Sequence, residues 1–403
     1  LSRTDDSRLV GRGSHSMNST EASEVVIIGA GPAGSTMACL LARQNRRVLL
    51  VDRSSFPRTK VCGCCLAPTG QRVLRDLGLD AIADQGVPLR TAVIQSGTRR
   101  SRLDFSGSIV LSRTVLDMGL IEAAKDAGVE FRPRTRARVT PHDGVILENL
   151  DQPEAKPRTI EGAAVVVADG VGGRSLDSRD EFVWKIRRRN RFGVGAVVDS
   201  PCDAPPPGEL LMIANRTGYL GVVRLEDGQL DLAAALHPGR TKAIGGPAHA
   251  CAALLEQASR PAMATAARQA RWQGTPSLTR SRRTVAEGRV LCIGDASGYV
   301  EPFTGEGMSW GMLAAATAAP FVEKIIDGET AADWNQVHRQ LLQTRQRRCR
   351  TVSLAMRMPN ISLAAMSILG RLPGLGPRIA GLASGQSNPG ADRNPHQNSE
   401  VTA

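Results

Sequence analysis

Residues 24–34 read EVVIIGAGPAG, and their interpretation decides the architecture of the rest of the chain. Val25, Val26, Ile27 and Ile28 form the short β-branched run expected of a strand buried on both faces of a parallel sheet. The run enters Gly29-Ala30-Gly31-Pro32-Ala33-Gly34 without a break, and Ser35 to Gln44 continues with a helical pattern. A second buried strand, RVLLVD, then ends on Asp52, 23 residues after Gly29. Each part has a physical task in a dinucleotide site. Gly29 permits a tight turn, Gly31 lets backbone approach a pyrophosphate, Gly34 lets helix and strand pack closely, and Asp52 can accept ribose hydroxyls. The expected fold is therefore α/β, with a Rossmann-like dinucleotide-binding domain at its core.

A second stretch of the same kind lies near the other end, VLCIGDASGYVEPFTGEGMSWGM at 290–312. An apolar strand ends at Gly294-Asp295, and a turn through Pro302, Gly305, Glu306 and Gly307 leads into a helix starting at Met308. A helix N-terminus presents unpaired N–H groups and partial positive charge, so it suits an anion or a group that becomes one.

Between these ends, Pro68 to Leu77 reads as a helix, and Ala92 to Gln95 and Ile109 to Leu111 as strands. Ser112-Arg113 begins a helix through Ala127, and AAVVVA at 163–168 is a third buried strand leading to Asp169-Gly170. From Arg191 to Leu236 the texture changes to short alternating segments, RFGVGAVV, GELLMI, GYLGVVRL and QLDLAAAL, separated by turn residues. This reads as an antiparallel sheet inserted between α/β parts. Helices follow at Ala248 to Ala258, Met308 to Ile326 and Ala331 to Arg348. The expected divisions are a leader or expression remnant at 1–16 and a discontinuous dinucleotide domain at 17–90, 106–185 and 282–330. A substrate-binding sheet domain occupies 91–105 and 186–281, C-terminal helices 331–385, and a disordered tail 386–403.

With 403 residues, 41% hydrophobic and 22% charged, the chain has material for a sizeable core. A net charge of +12 raises nucleic acid, acidic lipid and anionic cofactors as partners, but aromatics at 3% leave few stacking platforms, so nucleic acid is not expected. The Arg187-Arg188-Arg189 run reads as a solvated face. Eight dispersed cysteines do not make a disulfide framework, which favours a reduced, cytoplasmic setting. Residues 351–385 contain arginines and no acid among apolar groups. They read either as a helical layer over the cleft or as basic amphipathic helices for peripheral contact with an anionic membrane.

FPRTKVCGCCL at 56–66 places Cys62, Cys64 and Cys65 together. A zinc site would need a second ligand cluster, which the chain lacks, so no metal is expected. The residues fit better as a small-residue loop running close to a flat cofactor, and a near-vicinal disulfide stays open.

Four motifs, GAGPAG with Asp52, FPRTKVCG, VVADG at 166–170 and GDASGYVEPFTGEGM at 294–308, occur in order over about 300 residues. In these the chain resembles FAD-dependent oxidoreductases built like p-hydroxybenzoate hydroxylase, with a glutathione-reductase-type FAD domain. It looks most like the geranylgeranyl reductase family, with flavin-dependent halogenases as cousins. The resemblance implies that Gly29, Gly31, Pro32, Ala33 and Gly34 hold the FAD pyrophosphate and that Asp52 and Arg53 flank the ribose. It further implies cofactor contacts from Lys60, Cys62, Gly63, Arg113, Asp169, Gly170, Gly294 and Asp295. Pro302, Gly305, Glu306, Gly307 and Met308 would lie at the isoalloxazine. A helix start there stabilises the negative charge that reduction places on the flavin edge.

Cys62, Cys64 and Glu306 are the candidate flavin-facing catalytic groups, and Tyr219 and Gly221 the candidate substrate contacts. Three features depart from the family pattern: Gly172-Gly173-Arg174-Ser175 after Asp169-Gly170, Cys64 in place of a glycine, and no tryptophan or phenylalanine following Tyr219. The implied activity is hydride transfer to a C=C bond or monooxygenation of a hydrophobic prenyl, polyketide or quinone molecule. NAD(P)H is the implied electron donor. The alternatives are a halogenase-like enzyme and a membrane-peripheral nucleotide binder without catalysis.

Overall fold

The structure is a computed structural model and describes residues 23–97, 99–186, 190–300 and 306–341. The leader, the Arg187-Arg188-Arg189 run, Pro302 and Gly305, the helix beyond residue 341, segment 351–385 and the tail lie outside the described residues.

Val25–Ile28 stands near the centre of a six-stranded sheet, paired in parallel with Val48–Val51 on one side and Ala164–Val167 on the other. Glu130–Arg132 extends the sheet beyond the first neighbour and Val290–Cys292 beyond the second, both in parallel. A short antiparallel pairing with Ala286–Glu287 closes that edge. Every residue of the strands Val25–Ile28, Val48–Val51, Ala164–Val167 and Val290–Cys292 is buried, as their near-continuous apolar composition requires. The first helix, Pro32–Arg43, packs against Arg113–Asp126 and Gly307–Ile326. It starts at Pro32, earlier than the periodicity indicated, because proline suits the first turn, where its missing N–H is no loss.

The alternating segments after residue 190 form a sheet, but not a purely antiparallel one. Its seven strands run, in spatial order, Gln273–Ser277, Phe192–Val198, Leu230–Leu236, Gly218–Arg224, Glu209–Ala214, Thr91–Ser96 and Arg99–Asp104. Glu209–Ala214 and Thr91–Ser96 pair in parallel, and the other neighbours are antiparallel. Parallel neighbours need a long crossover, and more than a hundred residues separate these two in the chain. One face of this sheet buries Leu211, Leu220, Leu232 and Leu236 against helices Pro247–Gln257 and Pro261–Gln269. The other face carries Leu210, Met212, Tyr219, Val223 and Ala235 and turns toward the six-stranded sheet. Among the described residues no helix is long and apolar enough to cross a membrane.

Candidate active site

The ends of the central strands and the inner face of the seven-stranded sheet enclose one cavity of about 1030 Å³. That volume is at the upper end for a pocket holding one small ligand, roughly 300–1,000 Å³. Gly29, Gly31, Pro32 and Ala33, Asp52 and Arg53, Lys60, Cys62 and Gly63, Arg113, Asp169 and Gly170, Gly294 and Asp295, and Gly307 and Met308 all line it. So do Tyr219 and Gly221. Residues from eight separate places in the sequence thus meet around one space.

The glycine turn divides its labour as the spacing indicated. Gly29 has φ +109°, and a Cβ there would lie 2.4 Å from the Ala168 carbonyl oxygen. A Cβ at Gly34 would lie 1.8 Å from the Gly29 carbonyl oxygen, so the first helix can sit this close to the strand only without one. Gly34 therefore acts on packing and does not line the cavity. Gly31 is different. A Cβ there would meet nothing nearer than the guanidinium nitrogens of Arg113 at 3.6 Å and Arg58 at 3.7 Å. The helix N-terminus and two guanidinium groups therefore surround a small open cradle, which suits a diphosphate.

Asp52 is buried, and its first task is local. Its carboxylate accepts hydrogen bonds from Ala30 N and Ser54 N, both at 2.8 Å, tying the glycine turn to the second strand. Arg58 Nη1 donates to both oxygens, at 2.9 and 3.0 Å. A ribose hydroxyl reaches Asp52 only as Arg58 moves or shares. Arg58 belongs to the FPRTK motif, yet the motif alone does not reveal that it spans Asp52 and the Asp117 carboxylate, 3.4 Å from its Nε.

Arg113 follows the N-cap Ser112, whose hydroxyl accepts from Val115 N at 3.1 Å. Its guanidinium is buried, and a two-pronged bond to Asp117 at 2.7 and 2.8 Å fixes it. Burial works to lower its pKa, but Asp117 prevails and holds it above the ordinary arginine value. Lys60 opens into the cavity, where burial and then the charges of Arg113 and Arg58 hold its pKa below the usual lysine range. Asp295, in the turn Gly294–Ala296, is pushed up by burial to about 6, with Lys60 and Arg113 pulling the other way. This collection of cations around one cradle is suited to an anion from outside.

The departure at Gly172-Gly173-Arg174-Ser175 has a structural explanation. Ser175 donates to Asp169 Oδ2 through its N–H at 3.1 Å and its hydroxyl at 2.7 Å. A Cβ at Gly173 would lie 2.0 Å from Asp169 Oδ1, so the second glycine makes room for that carboxylate. Burial raises the Asp169 pKa against these bonds.

These residues suit FAD: the cradle at Gly31 and Arg113 would take its diphosphate, and the start of the long helix at Gly307 would favour negative charge on its ring. The chain belongs to the FAD-binding-domain family. The family model matches residues 22–356, and membership makes the protein an FAD-dependent oxidoreductase. It is 28% identical over 341 residues to the menaquinone reductase of Mycobacterium tuberculosis, spanning 76% of this chain and 78% of that one. It is 26% identical over 325 residues to the kynurenine 3-monooxygenase of Xanthomonas oryzae pv. oryzae, spanning 73% and 70%. In structure it superimposes on a flavin-dependent brominase with a TM-score of 0.76 at 17% identity, covering 90% of this chain and 94% of the other. The fold is thus that of the flavoproteins built like p-hydroxybenzoate hydroxylase, and the reading as a nucleotide binder without catalysis is set aside.

Two of the candidate catalytic groups are placed differently from expectation. Cys62 lines the cavity, but Cys64 does not. Cys64 takes a left-handed backbone angle, φ +48°, and is 3% exposed. Glu306 is buried at the N-cap of Gly307–Ile326 and is not among the cavity-lining residues. Asp231 belongs to none of the sequence motifs. It occupies the cavity face of Leu230–Leu236 and is 4% exposed. A lone acid inside LDLAAAL, in step with Ala233 and Ala235, was the available signal.

Proposed function

We propose that the enzyme carries out two-electron reduction of a hydrophobic small molecule of prenyl, polyketide or quinone type, on the geranylgeranyl reductase-like side of the family, with NAD(P)H as electron donor. The observation that carries this reading is the cavity's division into two halves. The cationic glycine cradle occupies one end, and the wall beyond it is built from Leu210, Met212, Tyr219, Val223, Ala233, Ala235 and Leu278. An apolar wall continuous with the cofactor end lets a greasy substrate lie beside the redox group while water is excluded.

When bound, FAD supplies the hydride chemistry, and the chain's own residues bind, orient and charge-balance. Gly31 and Arg113 seat the diphosphate, Asp52 and Asp295 take hydroxyl groups, and the start of Gly307–Ile326 favours negative charge on the ring edge. The resemblance to a menaquinone reductase over three quarters of the chain supports a quinone-type substrate. The acid-free basic segment 351–385 suits a peripheral contact with an anionic membrane surface, where such substrates concentrate. Cosedimentation with anionic but not neutral vesicles, lost on removing that segment, tests this contact.

The reaction is tested anaerobically with FAD-loaded enzyme, NAD(P)H and a prenylated naphthoquinone. The expected product is heavier by two hydrogens and forms without oxygen. No turnover without oxygen, together with a product in air that is heavier by one oxygen atom and oxygen consumed in equal amount, would instead make the enzyme a monooxygenase.

A further inference from the structure

Three groups stand together at the cavity wall. Cys62 and Cys64 lie two residues apart on one loop, and Asp231, on the facing strand Leu230–Leu236, is near enough for its charge to act on Cys64 and to feel that of Cys62. Cys62 opens to the cavity, while Cys64 and Asp231 are 3% and 4% exposed. Asp231 Oδ2 is buried with no hydrogen-bond partner, an expensive arrangement for a polar atom on an apolar wall. The backbone holds the pair in place. Leu111 N donates to Cys64 O at 2.8 Å, and Cys65 pairs with Val110 in a short strand, so the intervening Gly63 is the open point of the loop. Both thiols are free in this structure.

We propose that Cys62 and Cys64 form a redox-active dithiol that exchanges two electrons with the flavin bound in the same cavity, with Asp231 as the base serving Cys64. The proposal rests on the reading of the cavity as an FAD site. In the oxidative direction the Cys62–Cys64 S–S bond forms and the Cys64 S–H bond breaks. The proton passes to the ionised Asp231 carboxylate, and the two electrons reduce FAD, which takes up one proton from solvent.

The electrostatics suit this assignment of roles. The hydrogen bond from Cys64 and, against burial, the Arg113 guanidinium hold the Cys62 thiol at about 6, below the ordinary 9.0. Cys62 is therefore the attacking thiolate. Cys64 is pushed well above the ordinary value, first by its bond to Cys62 and then by burial, so it stays a thiol until a base takes its proton. Burial, then the charge of Cys62, raises Asp231 as well, which makes it a base that works only as pH rises. The other charges that act on the pair are Asp117, paired with Arg113, on Cys62, and Cys65 on Cys64. Cys65 is itself held protonated by burial.

The test uses the full chain loaded with FAD under anaerobic conditions. In one arm the protein is equilibrated with oxidised and reduced glutathione, quenched with acid, labelled with a maleimide and digested. The expected result is a Cys62–Cys64 disulfide, two hydrogens lighter than the dithiol and unlabelled, while Cys65 is labelled. In the second arm one equivalent of dithiothreitol is added and the visible flavin band is followed. Wild type bleaches, and Cys64→Ser, a near-isosteric change, bleaches at least about tenfold more slowly.

Asp231→Asn loses the acceleration of disulfide formation with rising pH, a readout that a merely structural role for Asp231 would leave in place. Independent labelling of both thiols in oxidising buffer, or equal bleaching of wild type and Cys64→Ser, overturns the proposal. A chain that takes up no FAD defeats the cofactor reading instead, and the glutathione arm on that chain still decides the dithiol.

Discussion

Gly31 and Gly34 stand three residues apart in one turn, yet the structure separates their roles, and alanine at each position measures the separation. At Gly31 the added methyl would have only the Arg113 and Arg58 guanidinium nitrogens near it, at 3.6 and 3.7 Å, ordinary van der Waals distances. The backbone there is extended, with φ −85°, which alanine adopts freely. The folding cost is that of replacing glycine by alanine at an N-cap, under about 1 kcal/mol. The same methyl fills the cradle and keeps a phosphate oxygen out of reach of the helix N–H groups. Losing one charge-assisted hydrogen bond costs roughly 1.5–3 kcal/mol, or about 10–150-fold in FAD affinity.

At Gly34 the methyl would lie 1.8 Å from a backbone oxygen that no rotamer change can move. The helix must shift off the sheet, at roughly 3 kcal/mol or more in folding stability. Thermal unfolding of the FAD-free chains, followed by fluorescence titration with FAD, resolves both effects. Gly31→Ala should unfold near wild type and bind poorly, and Gly34→Ala should unfold early. Wild-type affinity in Gly31→Ala would refute the placement of the diphosphate, and wild-type stability in Gly34→Ala would refute the packing argument.

Other outcomes follow from the same geometry. Asp52→Ala strips the carboxylate from Ala30 N and Ser54 N and should destabilise the FAD-free chain by roughly 1–3 kcal/mol in urea unfolding, before any effect on cofactor. Burial, then Arg339, lowers the His338 pKa to about 4 from 6.5, and its Nε2 lies 2.7 Å from Ser297 Oγ. Below pH 6.5 the unfolded chain binds a proton that the folded chain refuses, so stability falls between pH 6.5 and 4 by up to about 3 kcal/mol. Unfolding of His338→Gln across that range should lack this component of the slope. Alkylation of Cys62 by iodoacetamide in the FAD-free chain should rise with pH through about 6 and then level, read by peptide mass spectrometry.

The parts of the molecule that were legible in advance are those whose chemistry is local. Gly29 is demanded by its own φ of +109° and Gly34 by the Gly29 carbonyl oxygen in the same turn, and the run Val25–Ile28 reports burial on both faces without reference to a partner. The groups that escaped are those fixed by distant neighbours. Glu209–Ala214 alternates as any strand does, and nothing in it names Thr91–Ser96 as a parallel partner. Cys64 resembles its neighbours in sequence, and only the folded loop shows that it is buried, at a left-handed backbone angle, while Cys62 opens to the cavity. The order Gly172-Gly173-Arg174-Ser175 gives no hint of the hydrogen bond from Ser175 to Asp169 that the folded turn creates.

The central claim is that one cavity holds one FAD along its length, and a crystal structure of the chain with FAD tests it most directly. With FAD bound, the diphosphate should lie over Gly31 within hydrogen-bonding distance of Arg113, the adenosine ribose at Asp52 with Arg58 displaced, and the flavin ring beside Met308 with Cys62 at its face. FAD bound outside this cavity, or lying in it with the flavin ring at Asp52, would contradict that placement.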